Sequence, residues 1–234
     1  MPEGKKPSVA VVDYGLGNLF SVKHACEKVG LSAFLTSSAK EIDLADCVIL
    51  PGVGAFGDAM RNITELGLKN VLRDAAHSGK PLIGICLGMQ LLMSESSEFG
   101  SHEGLNIIRG DVVRFEDLKD QKETLKVPQV GWNQVRLRES ACKDPFFRGI
   151  KSGEYMYFVH SYYVKPYSES VSLAMTRYGD VEFCSSLRQE NVFACQFHPE
   201  RSGVEGLKIY SNIAYSVRAY AIRNNEKEKL CQKC

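Results

Sequence analysis

Cys86 stands between two glycines at a spacing that suits a nucleophile. In the segment PLIGICLGMQLL, Gly84, Cys86 and Gly88 form the pattern G-x-C-x-G, with a strand-like run before it and a helix-like run after it. In its serine form, this pattern places a nucleophile on a tight, strained turn, where residues without side chains let the chains pass closely. The helix N-terminus that follows favours the thiolate, the reactive form of cysteine. A buried structural cysteine is the alternative, but the paired glycines favour a nucleophile.

His198 is the best candidate for the base that a thiol nucleophile needs. It follows the strand-like run VFACQF, and Pro199 prevents that strand from continuing. Glu200 lies two residues further on, where a carboxylate can orient an imidazole and stabilise its charged form. We therefore predict acyl transfer by a triad of Cys86, His198 and Glu200. A capped strand end with a solvated carboxylate is the alternative reading of the last two residues.

The first half of the chain alternates strand-like and helix-like segments. The strand-like runs cover residues 8–14, 32–36, 46–51 and 81–85, and the helix-like runs cover residues 19–29, 66–76 and 87–96. Such alternation predicts an α/β fold with a doubly wound, mostly parallel sheet and helices on both faces.

The second half predicts an antiparallel extension of this sheet and a final helix. Its strand-like runs cover residues 107–115, 129–137, 155–164, 170–178, 181–188 and 192–197, and turn residues separate them. Apolar residues at helical spacing cover residues 204–222. Because no repeat or low-complexity linker divides the chain, we predict one domain over residues 1–223 and a charged, mobile tail over residues 224–234.

Composition argues against several classes of protein. The chain has 234 residues, 24% of them charged, and a formal net charge of +1, which indicates no nucleic-acid surface. No apolar run approaches the roughly 20 residues of a membrane helix, and the first residues do not resemble a secretory signal, so a cytoplasmic location is expected. The eight cysteines form no compact disulfide framework. Cys231 and Cys234 form a lone C-x-x-C pair, so we expect no metal site and no cofactor.

Three motifs together resemble the class I (triad) glutamine amidotransferases. They are GICLGMQLL at residues 84–92, QFHPE at residues 196–200 and the glycine-rich segment LPGVGAFGDAM at residues 50–60. The resemblance spans most of the chain. It implies hydrolysis of glutamine to glutamate and ammonia through a thioester on Cys86. The segment DYGLGNL is not a dinucleotide fingerprint, because Phe20 stands where the third glycine is needed.

Within this family the chain is most similar to the glutaminase subunits of imidazole glycerol phosphate synthase. The segments DYGLGNL, VPQVGWN, YFVHSYY and FHPERSG carry that similarity. Gln129 and Arg201 depart from it, because those subunits more often have another residue such as histidine at the first position and often have lysine at the second. The similarity implies a heterodimer with a synthase (cyclase) subunit of (β/α)₈-barrel type, which receives the ammonia through a channel in histidine biosynthesis.

The resemblance also implies roles for residues outside the triad. The backbone N–H groups of Val53 and Leu87 would hold the oxyanion, while Gly52 and Gly54 would let the intervening peptide flip. The residues implied in glutamine binding are Gln90, Glu98, Ser161 and Tyr162. The residues expected to contact the synthase are Asn18, Trp132, Tyr157, His160 and Arg201.

Three other functions are compatible with these residues. One is a paralogous glutaminase that supplies another synthase, such as one that aminates a surface sugar. Another is a cysteine hydrolase of the same fold, for example a protease or a γ-glutamyl hydrolase, which would need no synthase. The last is a binding module without catalysis, which the complete triad disfavours.

Overall fold

The first half of the chain alternates strands and helices. The computed structural model describes residues 6–116, 119–120 and 123–231. The elements of the first half are β1 (Ser8–Val12), α1 (Leu19–Lys28), β2 (Ser32–Thr36), α2 (Ala39–Leu44), β3 (Cys47–Gly52), α3 (Phe56–Glu65), α4 (Lys69–His77), β4 (Leu82–Cys86) and α5 (Leu87–Leu91).

The second half is built mainly from strands and ends in one long helix. Its elements are β5 (Glu95–Ser96), β6 (His102–Glu103), β7 (Gly110–Arg114), β8 (Lys119–Asp120), β9 (Glu123–Thr124), β10 (Gln129–Leu137), β11 (Glu154–His160), β12 (Tyr162–Pro166), β13 (Ser172–Tyr178), β14 (Val181–Gln189), β15 (Val192–Cys195) and α6 (Gly203–Cys231).

The main sheet joins a parallel half to an antiparallel half. The strand order β2-β1-β3-β4-β15 is parallel throughout, and β14, β12 and β7 continue it in antiparallel pairing. Strand β13 pairs with both β14 and β10, and β10 pairs in turn with β11. This confirms the predicted α/β fold with an antiparallel extension. Because β3, β4 and β15 are parallel neighbours, their carboxyl ends meet at one edge of the sheet.

Helices cover both faces of the parallel strands. Successive side chains of a strand point to opposite faces. Val9 and Val11 of β1 pack with α1 and α6, whereas Ala10 and Val12 pack with α2, α3, α4 and α5. Both faces of the central strands are therefore apolar, and every residue of β3 and β4 is buried. The sheet edge that carries Cys86 is held rigidly by these two cores.

Two elements are shorter than the sequence predicts. Helix α5 was expected to reach residue 96 but ends at Leu91, because the backbone that follows bonds to the sheet: the Ser94 N–H donates to the Gly110 oxygen, and Glu95 and Ser96 pair with β7. The expected strand over residues 155–164 is interrupted at Ser161, which separates β11 from β12.

Three other helices of the first half differ from the prediction. Helices α2 and α3 were not predicted, and the helix expected to start at residue 66 starts at Lys69 instead. Gly67 has a φ of +67°, a left-handed conformation that ends one helix before the next begins. Because residues 50–60 were interpreted as a glycine-rich segment, the start of α3 at Phe56 was not predicted.

Helix α6 continues past its predicted end at Ile222 and reaches Cys231. No glycine or proline follows Gly206 in the sequence to stop it. The mobility of residues 224–234 stays a prediction, and Cys234 of the C-x-x-C pair lies outside the described residues. In the part of the chain that the structure describes, no helix is long and apolar enough to cross a membrane.

Phe193 provides a test of the core behind the site. Its ring is fully buried and stacks on Phe146, with a centroid separation of 4.2 Å and an interplanar angle of 8°. We expect Phe193→Ala to lower the free energy of unfolding by about 3–5 kcal/mol, because it removes buried surface and leaves a cavity. Urea denaturation followed by circular dichroism measures this. Phe20→Ala, at a side chain 77% exposed, is the control and should change little; equal losses would contradict the packing.

Candidate active site

Cys86 lies on a strained turn between β4 and α5. Its backbone has φ 54° and ψ −111°, a conformation that costs a non-glycine residue about 1–3 kcal/mol. The flanking glycines are sterically required: a Cβ at Gly88 would lie 1.7 Å from the Leu50 carbonyl oxygen, and one at Gly84 would lie 3.0 Å from the Gly88 oxygen. The thiol is 5% exposed and faces a cavity of about 240 Å³.

His198 and Glu200 form a buried pair at the end of β15. The chain leaves the strand there and enters a short 3-10 turn over Pro199–Arg201. The His198 Nδ1 and the Glu200 Oε1 are 2.7 Å apart, and the two side chains are 4% and 1% exposed. A carboxylate only accepts, so Nδ1 is the donor and the carboxylate fixes the ring. Among the described residues, the buried Nε2 makes no hydrogen bond of its own, which leaves it available for proton transfer.

The charges around His198 favour its protonated form. Burial by itself lowers the pKa of His198, but the neighbouring Cys86 thiol, followed by Glu200, outweighs burial and raises that pKa from 6.5 to about 10. A cationic imidazole beside the sulfur is the partner that stabilises a thiolate. The structure thus brings together the three residues of the predicted triad, although they are spread over 115 positions of the sequence.

The predicted oxyanion residues lie around the same sulfur. Val53, Gly54 and Leu87 line the cavity together with Cys86. Gly52 pairs with Cys86 across the parallel strands, and a Cβ at Gly52 would lie 2.0 Å from the Tyr14 hydroxyl oxygen. Gly54 has a φ of +104°, which other residues rarely adopt. The placement suits an oxyanion site, and the roles of the two N–H groups and of a peptide flip stay predictions.

The four residues predicted to bind glutamine line the cavity as well: Gln90, Glu98, Ser161 and Tyr162. Gln90 is 5% exposed, so it is not a surface residue of its helix. The Glu98 carboxylate accepts a hydrogen bond from the Phe56 N–H at 2.6 Å, and burial raises its pKa. Cavity walls that combine a carboxylate, an amide and hydroxyls can recognise a zwitterionic amino acid.

Three of the predicted interface residues form one exposed cluster next to His198. Trp132 is 56% exposed and meets Tyr157 edge-on at 6.1 Å, while the Arg201 guanidinium lies 4.6 Å from the centre of the Tyr157 ring. The Tyr157 ring centre is 6.5 Å from that of His198. Asn18 is exposed at the start of α1 and makes no side-chain cap.

The interface prediction for His160 needs correction. The side chain is 6% exposed and packs against the rings of Phe115, Phe158 and Phe183. Burial lowers its pKa to about 4, so the ring is neutral. His160 is therefore an internal residue of the cavity wall and not part of a contact surface.

The structure also identifies a residue that the sequence analysis did not select. The Gln196 side chain is fully buried, and its Nε2 donates to the Cys86 sulfur at 3.6 Å. Its position immediately before FHPE was the available signal. Among the described residues, no group of three or more His, Cys, Asp or Glu side chains could hold a metal ion.

A larger depression of about 740 Å³ lies between α1 and α6. Phe20, His24, Val204 and Leu207 contribute to its lining, and Glu200 is reached from this side. Cys86 does not line this depression, whereas it lines the smaller cavity.

Replacing His198 tests its electrostatic effect on Cys86. We expect His198→Gln to slow alkylation of Cys86 by iodoacetamide at pH 7 by about tenfold or more, because the cation that stabilises the thiolate is lost. Mass mapping of the Cys86 peptide excludes signals from other cysteines. His77→Gln, at an exposed histidine, is the control and should react like the wild type; an unchanged rate in His198→Gln would refute the pairing.

The same pair predicts a pH dependence of stability. Folding raises the pKa of His198 from 6.5 to about 10, so protonated His198 stabilises the fold in full below about pH 6.5, and this contribution is lost as the pH rises through about 10. The difference in free energy of unfolding between wild type and His198→Gln should therefore shrink over that range. Urea titrations at several pH values measure it, and a difference independent of pH would contradict the assignment.

The fold resembles that of several solved structures. PurLQS from Thermotoga maritima superposes with a TM-score of 0.67 at 20% identity, covering 93% of this chain and 100% of that chain. The glutaminase domain of CTPS from Trypanosoma brucei, solved with bound acivicin, gives a TM-score of 0.65 at 16% identity, covering 92% and 94%. At these identities the likeness concerns the fold alone.

Sequence comparison gives closer relatives. The imidazole glycerol phosphate synthase subunit HisH of Syntrophotalea carbinolica is 50% identical over 205 residues, which are 87% of this chain and 98% of the relative. HisH of Caldanaerobacter subterraneus is 45% identical over 210 residues, or 90% and 98%. The family model of class-I glutamine amidotransferases matches residues 10–216. The chain therefore belongs to the class-I glutamine amidotransferase family.

Proposed function

We propose that this chain is the glutaminase subunit of an imidazole glycerol phosphate synthase. It hydrolyses glutamine to glutamate and ammonia and passes the ammonia to a synthase (cyclase) subunit in histidine biosynthesis. The observation that carries the proposal is the cavity in which the strained Cys86 meets the buried His198–Glu200 pair. The similarity to HisH over most of both chains supports the pathway.

The first half of the reaction forms a thioester. The Cys86 thiolate attacks the side-chain amide carbon of glutamine, and the carbonyl becomes a tetrahedral oxyanion. The N–H groups of Val53 and Leu87 hold that oxyanion, and a preorganised donor of this kind contributes about 3–4 kcal/mol in other acyl-transfer enzymes. Protonated His198 gives its proton to the departing nitrogen, so that ammonia leaves as a neutral molecule.

The second half releases glutamate. Neutral His198 now takes a proton from a water molecule, which attacks the thioester carbon. The intermediate collapses, the carbon–sulfur bond breaks, and Cys86 leaves as the thiolate beside the reprotonated imidazole. Glu200 keeps Nδ1 protonated throughout, so that Nε2 performs both transfers.

Substrate recognition falls to the remaining residues of the cavity. The half-buried Glu98 carboxylate suits the α-ammonium group of glutamine, because partial burial strengthens such a pairing. The Gln90 Nε2 is engaged by protein acceptors, so its Oε1 is the atom left for substrate. Ser161 and Tyr162 complete the wall and can bind the α-carboxylate.

The partner docks over the exposed cluster beside the cavity. Ammonia in water near neutral pH is mostly protonated, so a nucleophilic product needs a closed route to its acceptor. Trp132, Tyr157 and Arg201 combine aromatic area with a cation, a composition typical of interface hot spots. We infer that a (β/α)₈-barrel subunit covers this face together with Asn18, forming a heterodimer with a channel.

Glutamate release from glutamine tests the proposal. The full chain is assayed alone and with a barrel-type synthase subunit and its phosphorylated ribosyl-imidazole ligand. We expect the partner and its ligand to raise the rate and Cys86→Ala to abolish it, because the nucleophile is lost. Cys142→Ala, at an exposed cysteine away from the cavity, is the matched control and should keep wild-type activity.

Other results would point to the competing functions. If the partner has no effect but an electrophilic glutamine analogue labels Cys86, the chain is a glutaminase for a different synthase. The departures at Gln129 and Arg201 would then be differences between the two kinds of glutaminase. Turnover of peptides or polyglutamate without any partner would indicate a hydrolase. If neither turnover nor labelling occurs, the catalytic assignment of Cys86 is wrong.

A further inference from the structure

The Cys86 sulfur sits at one end of a chain of buried hydrogen bonds. The Gln196 Nε2 donates to the sulfur at 3.6 Å, and the Gln196 Oε1 accepts from the Gln90 Nε2 at 3.1 Å. The Gln90 Nε2 also donates to the Tyr162 carbonyl oxygen at 3.0 Å. The Gln90 and Gln196 side chains are 5% and 0% exposed, so water does not compete for these bonds. The sulfur is thus connected to the backbone at the start of β12.

The direction of this chain follows from the carbonyl at its far end. A carbonyl oxygen can only accept, so Gln90 must turn its NH₂ group toward Tyr162. The second N–H of the same group then points to Gln196, which must present its oxygen. The Gln196 NH₂ group consequently faces Cys86, because the reverse orientation of Gln196 would place its NH₂ group against that of Gln90. A donor aimed at the sulfur favours the thiolate over the thiol, because the charged acceptor forms the stronger bond.

His160 and Gln129 reinforce this orientation from the other side. The His160 Nδ1 is 2.8 Å from the same Tyr162 oxygen, and its Nε2 is 3.0 Å from the Gln129 side-chain amide. Because burial keeps the pKa of His160 near 4, the ring carries one proton. Because a carbonyl oxygen can only accept, that proton lies on Nδ1 and serves the Tyr162 oxygen. The Gln129 Oε1 faces Nε2, so the amide must turn by 180° for its NH₂ group to donate there. Both lone pairs of the Tyr162 oxygen are then satisfied, so the carbonyl cannot turn away from Gln90.

We propose that Gln196 is a further catalytic residue of this site, whose side-chain N–H holds the Cys86 thiolate in place and stabilises it. The role of Gln196 in turnover rests on the proposed function. In that role, Gln196 gives the nucleophile a second stabilising partner besides His198. The two partners act in different ways: His198 exchanges protons, whereas the Gln196 amide keeps its proton throughout. The amide donor also suits the thiolate when it leaves during hydrolysis of the thioester.

Removing the donor without changing the volume tests this role. Gln196→Met keeps the length of the side chain but has no N–H, and Gln196→Glu places a carboxylate against the sulfur. Gln189→Met, on the exposed end of β14, is the matched control. The readouts are the rate of Cys86 alkylation by iodoacetamide as a function of pH, followed on the Cys86 peptide, and kcat and KM for glutamine in the full chain with its synthase partner.

We expect Gln196→Met to move the alkylation profile to higher pH and to lower kcat by roughly tenfold to hundredfold with little change in KM, since a hydrogen bond to a charged group is lost. Gln196→Glu should move the profile further, while Gln189→Met should match the wild type. Circular dichroism identifies folded variants, and if Gln196→Met does not fold, Gln196→Glu decides. A wild-type profile in either folded variant overturns the proposal. A shifted profile in a chain that never hydrolyses glutamine supports the role of Gln196 and rejects the proposed function instead.

Discussion

The close approach of α5 to β3 is the constraint on which the rest of the site depends. The Leu50 carbonyl occupies the space of a Cβ at Gly88, so only glycine lets a helix start directly after Cys86. At this junction Cys86 has a positive φ of 54°, and the residue lines the cavity. The parallel register then brings Gly52 level with Cys86. One close contact thus places Cys86, the start of α5 and the glycine-rich segment after β3 side by side.

The groups around them give two buried histidines opposite properties. His160 and His198 are 6% and 3% exposed, and burial alone disfavours the cation in both. His160 faces a carbonyl and an amide, which do not compensate, and its pKa falls to about 4. His198 faces Cys86, whose thiolate form is negatively charged, and the Glu200 carboxylate, and Cys86 followed by Glu200 raises the pKa of His198 to about 10. The neutral His160 ring therefore suits a fixed orientation, and the cationic His198 ring suits proton transfer, although both residues are histidines.

The sequence predicted those parts of the molecule whose local sequence pattern agrees with their tertiary packing. The parallel strands are continuous apolar runs, and Cys86 and His198 each follow one of them, so the meeting of the two residues at one edge follows from parallel pairing. The sequence misplaced the end of α5, because residues after Leu91 bond to Gly110 and β7, which are distant in sequence. It assigned His160 to a contact surface from the family resemblance, although alternation along β11 places His160 on the same face as the buried Met156 and Phe158. Gln196 was missed for a related reason, since an amide acquires a role only from its partners in space.

Three hydrogen bonds connect strand β11 to the turn that carries His198. The His198 N–H donates to the Tyr157 oxygen at 2.9 Å, the Tyr157 N–H donates to the Ser202 Oγ at 3.0 Å, and that hydroxyl donates to the His198 oxygen at 2.7 Å. The turn that carries His198 and Glu200 is therefore clamped to the residue whose ring lies between Trp132 and Arg201. A partner bound to this face would therefore contact strand β11 and not a loop. Tyr157 therefore links the aromatic cluster directly to the backbone of His198, so a displacement of this part of β11 would also displace the imidazole.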